Sequence, residues 1–561
     1  MTPTPHADLA PDDASALSPS APYYAVKQFG LALLCAAWVL LGLVGHDPWK
    51  TEDAIAFGAA YAMMEGGDAL VPSLAGEPYA DRPPLVYAVA AATATAFSPP
   101  LSVPDAARLA VGVMLGSTLL LLAATAKELC GSALRWVAVL LFVGSVGLWD
   151  RVHQLSPELG LLLGVAAGLY GFALALRRPA LGGAIAGAGA AVAFLSEGLL
   201  GPLWLGLTAI ALPAAFPAWR TRAHAVTLVA ALAVALPLAS VWPVALAARA
   251  PDHLAAWWAT QGVAELFRPW TWGDPLFLLK NLPWFAWPAL PLVLWTLWTR
   301  GRGFGGGLGT PAVQLPGTLA LAMIVTIALT VEPRAIIVMP ILLPLAVLGA
   351  LEVDSLPRGL SGFLDWFGIL TFGLAAALLW WLWFDARAHG MSATVARLFR
   401  DTETGYRPTF QWLAFAVSIL LTLLWFALVR PARRSNRRAV LNWAAGMTLI
   451  WALYSTIWLP YLDSRRSYRD VAETMRAHLP AAGCVASRNL GDAQRALFSY
   501  FAGLVTVREE IAPLHDCKAL LVQYGRQGFE MRAPAGWEVV WAGHRRGDDT
   551  ERYVLYARSP R

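Results

Sequence analysis

Apolar residues fill the chain in long runs, and the short stretches between them hold nearly all the charge. A run of roughly 17 to 25 apolar residues can cross a bilayer as a helix whose backbone groups bond internally. Thirteen runs are read as spans: 29–45, 108–124, 134–148, 157–176, 180–194, 199–216, 225–247, 282–298, 312–331, 335–351, 360–384, 410–429 and 440–459. A further apolar piece, 84–97, is shorter and stops at Ser98-Pro99-Pro100, so it is either a span or a helix lying along the interface. The basic residues separate these readings. With 84–97 interfacial, Lys127, Arg177, Arg178, Arg220, Arg222, Arg300, Arg302, Arg358 and the RPARRSNRR cluster at 430–438 all fall on one side. The positive-inside rule then puts the amino end in the cytoplasm and the carboxyl end outside.

After residue 459 the pattern changes to that of a small α/β domain, with helices expected at 468–479 and 492–502. Strands are expected at 484–488, 505–509, 519–524, 538–542 and 553–557. The expected organisation is a disordered cytoplasmic tail (1–24), a transmembrane catalytic region (25–460) whose first periplasmic loop (46–106) carries juxtamembrane helices, and a periplasmic domain (461–561). The long loop at 248–281 holds HLAAWWATQGVAELF, an aromatic helix-like piece suited to the headgroup region.

Composition agrees: 57% hydrophobic residues, 14% charged residues and a mean hydropathy of +0.54 exclude an ordinary soluble protein. The net charge of +5 is scattered, without the basic stripe and interleaved aromatics of a nucleic-acid binder. Of four cysteines, Cys484 and Cys517 fall in the terminal domain and are candidates for a disulfide if that domain lies outside the cytoplasm.

Candidate chemistry gathers at 51–84, TEDAIAFGAAYAMMEGGDALVPSLAGEPYADRPP. Glu52 and Asp53 open a helix-like segment, where acids are favoured by the dipole alone or can serve as a base. Asp81-Arg82 is either a solvated ion pair or a site pair in which the guanidinium fork binds a phosphate. Arg334 is either a snorkelling anchor or a second phosphate clamp. Glu158 opens an apolar helix, and Glu197 interrupts one in LSEGLLGP; each is either a local structural residue or part of the site. His153 and His253 share this face, but no spaced metal-ligand cluster is visible; no cofactor is required, and a divalent metal is compatible with the acids. GxSxG and GxxxxGK[ST] motifs are absent, which removes serine-hydrolase and P-loop chemistry from consideration.

This stretch resembles the first outer loop of the ArnT-like, protein-mannosyltransferase-related bacterial glycosyltransferases. Glu52-Asp53 matches their acidic pair, Gly67-Asp68 and Val71-Pro72 the turn, Gly76 the NG glycine, and Asp81-Arg82-Pro83-Pro84-Leu85 the acid-Lys-Pro-Pro-Leu end. Arg108, Glu158, FLSEG at 194–198 and EPRAIIVMPILLP at 332–344 continue the likeness. Glu52 stands where Asp is usual, Arg82 and Glu197 replace lysines, and 263–267 lacks the family's loop histidine. The resemblance implies a polytopic α-helical GT-C fold of about 13 transmembrane helices in the bacterial inner membrane, with a C-terminal α/β periplasmic domain. It implies inverting transfer of a sugar from a polyprenyl-phosphate donor to lipid A, another glycolipid or a protein at the periplasmic face. Glu52, Asp53 and Glu158 would be catalytic; Asp81, Arg82, Lys280 and Arg334 would bind substrate or phosphate; Glu197 is a further site candidate. Two rivals are a lipid-linked sugar transporter, which would favour internal repeats and broken helices, and an inactive envelope scaffold.

Overall fold

The computed structural model describes residues 21–79, 81–149, 151–262, 273–329, 334–392, 396, 406–430, 435–481, 483–511, 517–525, 533–546, 548 and 550–558, with the backbone alone for 21–28, 273 and 274. Most of the expected tail, the loop at 263–272, Glu332 and Pro333 lie outside the described residues.

Helix α1 (Ala21–Leu40) leads into the first polar loop, which holds α2 (Glu52–Met64), a hairpin of β1 (Ser73–Leu74) and β2 (Glu77–Pro78), and α3 (Leu85–Phe97). The hairpin turns through Ala75 and Gly76, at φ 49° and 80°. A two-residue turn with both residues at positive φ matches the twist of paired strands. At 13 residues, α3 is about 20 Å long, short of a hydrocarbon core of roughly 30 Å. There follow α4 (Val103–Cys130), α5 (Arg135–Val143), α6 (Pro157–Ala175), α7 (Pro179–Glu197), α8 (Leu200–Ala215), α9 (Arg222–Arg249) and α10 (Pro251–Trp257). The membrane region continues with α11 (Gly273–Phe285), α12 (Ala289–Gly301), α13 (Pro311–Leu329), α14 (Leu342–Leu351), α15 (Arg358–His389), α16 (Trp412–Val429), α17 (Asn436–Tyr454) and α18 (Leu459–Arg466).

Among the described residues, seven helices are long and apolar enough to cross a membrane: α4, α6, α7, α9, α13, α15 and α16. Counting each bent pair as one span raises this to nine. The runs at 282–298 and 440–459 correspond to those pairs, α11–α12 meeting at 96° and α17–α18 at 62°. Pro288, lacking an N–H, sits at the first break. The runs at 29–45, 134–148, 199–216 and 335–351 yield shorter helices. Leu236 and Val241 of α9, Leu374 of α15 and Leu420 and Phe426 of α16 stand exposed, as side chains facing lipid do. The chain is a multi-pass membrane protein.

Small residues set the tightest packing. A Cβ on Gly164 of α6 would come within 2.5 Å of the Gly189 carbonyl oxygen of α7, and Gly171 meets Gly182 and Ala186 in the same way. The other side of α7 carries Gly183 and Gly187, whose missing Cβ atoms leave room for the Thr227 and Ala231 carbonyls of α9. Glycine on two faces lets α7 sit between two neighbours at backbone contact, where dispersion holds helices together in lipid.

The terminal domain adds α19 (Arg469–Arg476), β3 (Val485–Arg488), α20 (Asp492–Ala502), β4 (Thr506–Arg508), β5 (Ala519–Gly525), β6 (Trp537–Gly543) and β7 (Glu551–Arg558). The strands lie in the order β4-β3-β5-β7-β6, with β3 parallel to β4 and β5, and β7 antiparallel to β5 and β6. Val485, Leu521 and Leu555 pack against α19 and α20, while Leu520, Val554 and Tyr556 form the other face. A disulfide joins Cys484 to Cys517, just before β3 and β5.

This domain clamps the first loop. Helix α2 crosses α20 where a Cβ on Gly58 would lie 2.6 Å from that of Ala496, and Ala54 belongs to the terminal core. Glu77 pairs with Arg495 at 2.8 Å, Asp47 with Arg469, and Lys50 with Glu551. Glu551 also accepts from the hydroxyls of Tyr468 (2.8 Å) and Tyr553 (2.7 Å) and from Gln494 (3.1 Å).

On the loop's other side, Asp53 accepts from the backbone N–H groups of Trp49 (3.0 Å) and Leu155 (3.1 Å) and from Nε and Nη2 of Arg108 (3.4 and 3.3 Å). Arg108 also donates from Nη1 to the His46 carbonyl (2.9 Å) and to Asp105 (3.4 Å). Both side chains of the pair are only 2% exposed.

Two outcomes follow. Asp53→Ala removes the buried partner of the Arg108 Nε and Nη2 groups and leaves Arg108 only Asp105 and the His46 carbonyl; removing one partner of a buried pair costs up to roughly 3–5 kcal/mol, which should appear as a loss of thermal stability of the detergent-purified chain. Burial raises the Glu551 carboxyl, but hydrogen bonds from Lys50, Tyr553 and Tyr468 outweigh it and hold the group below the ordinary glutamate range. A depressed carboxylate stabilises the fold above its unfolded pKa and loses that contribution as pH falls through the folded value. Melting scans from pH 7 downward should therefore show wild type and Glu551→Gln converging below the ordinary glutamate range; a gap that stays constant with pH would contradict this.

Candidate active site at the ends of the helices

The seam between α6 and α7 brings the start of one helix beside the end of the other. Gly160 lies directly against Ser196, so Glu158 and Glu197 occupy the same end of the antiparallel pair. Both carboxylates are buried. Arg82 reaches them from the end of the first loop, its Nη2 lying 3.2 Å from Oε1 of Glu197. Its Nη1 faces the side-chain oxygen of Gln261 at 3.4 Å.

Glu158 carries one open oxygen. Its Oε2 is buried without a hydrogen-bond partner among the described residues, while Arg82, Arg334 and Glu52 all lie within electrostatic reach of it. Arg334 precedes the turn that leads into α14, and its Nε is likewise buried without a hydrogen-bond partner among the described residues. Glu52, in the first turn of α2, is half-buried. The structure thus brings together Glu52, Arg82, Glu158, Glu197 and Arg334 from five separate segments.

The other candidates lie differently. Asp53 adjoins Glu52 but faces Arg108, with both oxygens occupied. Asp81 is exposed and accepts from the Tyr79 hydroxyl at 3.0 Å. Lys280 is exposed on α11, and no described contact joins it to the cluster. His153 is buried, stacked on Trp451 at a centroid distance of 4.0 Å, and donates from Nε2 to the Trp38 carbonyl at 2.7 Å. Burial pushes its pKa down to about 4, so it is a neutral packing group at pH 7. Among the described residues, no group of three or more His, Cys, Asp and Glu side chains converges as metal ligands would.

Sequence reasoning missed two residues. Tyr87, in the first turn of α3, is fully buried and surrounded by Arg82, Glu197, Glu158 and Asp81. Its signal was a polar-tipped aromatic two residues after Leu85. Gln261 sits in a π-helical turn, Trp258–Gly262, a geometry frequent at functional sites; its signal was a lone amide in an aromatic stretch.

No family model matches the sequence, and no curated protein matches it. Solved structures do. ArnT from Cupriavidus metallidurans bound to undecaprenyl phosphate aligns with a TM-score of 0.68 at 16% identity, over 96% of this chain and 98% of that one. The same protein in the apo state gives 0.66 at 15% identity, with the same coverage. The archaeal oligosaccharyltransferase AglB from Archaeoglobus fulgidus, in complex with an inhibitory peptide and a dolichol-phosphate, gives 0.50 at 11% identity, over 90% of this chain and 70% of that one. The membrane helices, the first loop and the terminal sheet domain together share the fold of the ArnT structures.

Proposed function

We propose that the chain is an inverting glycosyltransferase that moves a sugar from a polyprenyl-phosphate donor to an acceptor on the outer side of the membrane. The observation that carries this reading is the convergence of Arg82, Arg334 and Glu52 on Glu158 at the helix ends, with Arg82 also against Glu197. Two guanidinium groups there suit a phosphate leaving group, which they stabilise as its charge develops. The solved relatives bear on the donor: ArnT was captured with undecaprenyl phosphate and AglB with dolichol-phosphate.

In the mechanism, an acceptor hydroxyl gives its proton to Glu52 while its oxygen attacks the anomeric carbon. The bond from that carbon to the phosphate oxygen breaks, and its electrons leave with polyprenyl phosphate, so the configuration inverts. Arg82 and Arg334 hold the departing phosphate. Glu158 orients the sugar through its unoccupied Oε2, and Glu197 fixes the Arg82 fork. Asp53 acts at one remove, by fixing the helix that presents Glu52. Asp81 and Lys280 remain candidates for substrate contacts at the rim.

In this reading the protein sits in a bacterial inner membrane with the thirteen spans expected from the sequence, and with the site and the terminal domain on the periplasmic side. The distribution of Lys127, Arg177, Arg300 and Arg437 toward the opposite face supports this orientation. The acceptor class comprises lipid A, other envelope glycolipids and proteins.

The test is transfer from a radiolabelled polyprenyl-phosphate sugar in proteoliposomes. Glu52→Gln should lower turnover by about 10²–10⁴-fold, the usual worth of a general base, with little change in donor KM. Arg82→Ala should lower it by about 10²–10³-fold, and Arg82→Lys should recover part of that loss because it restores charge without the fork. Full turnover by Glu52→Gln, or flipping of the labelled lipid with no sugar transferred, would overturn the assignment.

A further inference from the structure

A groove of about 420 Å³ lies between the end of α12 and the segment after α14, at the end of α14 remote from Arg334. Helix α12 gives it Trp295 and Trp298, the turn beyond gives Arg302 and Phe304, and the segment after α14 gives Glu352 and Ser355. Most of its polar groups are occupied. Glu352 accepts from Nε of Arg300 at 2.6 Å, and Arg300 also donates from Nη1 to the Gly305 carbonyl. Ser355 accepts from Nε1 of Trp295 at 3.0 Å and donates to the Glu352 carbonyl at 2.8 Å. Arg302 is the exception. Its exposed guanidinium lies over the Trp298 ring at 4.1 Å and, among the described residues, has neither a carboxylate partner nor a hydrogen bond. With Arg300 and Glu352 cancelling each other, the groove carries one open positive charge.

Stacking holds the plane of a guanidinium against the ring and leaves its N–H edge for an oxyanion. The surroundings decide which anion. Leu294, Leu297 and Trp298 stand exposed, and spacings of three and four residues put them on one face of α12. Phe304 is exposed just beyond the end of that helix. An apolar face ending in tryptophan and arginine is the pattern of a helix that stops at the bilayer interface. A soluble anion at Arg302 would leave this face uncovered. A phospholipid meets both demands, its phosphate at the guanidinium and its acyl chains along the leucines. A zwitterionic head already carries a cation beside its phosphate, so one open arginine favours a head with net negative charge.

We infer that this groove binds an anionic phospholipid, with Arg302 as counter-ion to its phosphate and the exposed face of α12 beneath its acyl chains. The site is separate from the cluster of Arg82, Arg334 and the buried acids, and it does not depend on the transferase reading. The Arg300–Glu352 pair and the hydrogen bond from Trp295 to Ser355 already join α12 to the segment after α14. A lipid seated across the groove braces that joint, so binding stabilises the chain.

The experiment uses the full chain purified in a neutral detergent. Phosphatidylglycerol, phosphatidylcholine and glycerol 3-phosphate are titrated in separate samples, bound molecules are counted by native mass spectrometry, and the melting temperature is followed alongside. Phosphatidylglycerol should bind more tightly than phosphatidylcholine and raise the melting temperature, and glycerol 3-phosphate should not bind measurably. Arg302→Gln should weaken the first phosphatidylglycerol roughly fivefold, the worth of one basic residue beside an anionic lipid. Arg222→Gln, which removes an exposed cation at the start of α9 outside the groove, should leave that affinity unchanged. Equal losses in the two variants would mean general attraction between charges and overturn the site, as would equal binding of the two lipids. Glycerol 3-phosphate binding as tightly as phosphatidylglycerol would reject a lipid as the occupant.

Discussion

The buried pair of Asp53 and Arg108 is the constraint on which the first loop depends. One carboxylate takes four donors from three segments: the loop before α2, the start of α4 and the turn before α6. A charge taken out of water is costly unless its lone pairs are met, and here they are met by backbone as well as by guanidinium. The arrangement has one low-energy geometry, so the direction of α2 and the position of Glu52 are settled together. Adjacent acids in one helical turn therefore divide the work, one holding the frame and the other left half-open toward the cluster.

The second constraint is size rather than charge. Glycines on two sides of α7 let it approach α6 and α9 to backbone contact, and this closeness sets Glu158 beside Glu197. Arg82 then has a carboxylate in reach as it leaves the first loop. Polar groups at helix ends are thus positioned by the least polar residues within the helices.

Much of this was legible in the sequence, unevenly. The apolar runs all become helices, and the five strand-like runs after residue 459 are the five strands, because period and length carry those signals. Span counting is weaker: 134–148 holds a helix of only nine residues, and 282–298 is broken near Pro288, since hydropathy cannot register a bend. At the site, Arg82, Glu158, Glu197 and Arg334 were visible as ionisable groups beside apolar runs, where charge is expensive enough to be noticed. The division of roles between Glu52 and Asp53 was not visible, because it turns on Arg108 and on a backbone N–H at Leu155, distant in sequence. Tyr87 looked like one more aromatic in an apolar helix, and only packing shows that it is ringed by charge.

The ion pair between Lys50 and Glu551 spans 501 positions of the chain. A ribosome making this protein delivers α2 early and the strand that secures it only after every membrane helix has been threaded. The loop carrying Glu52 is therefore held on one side only, through Asp53, Arg108 and Leu155, throughout most of synthesis. Completion of the terminal sheet is then the event that converts an inserted chain into one with a finished loop. Chains interrupted before β7 would keep the Asp53–Arg108 anchor but lack the Lys50–Glu551 one, leaving the loop open on the side that the terminal sheet covers.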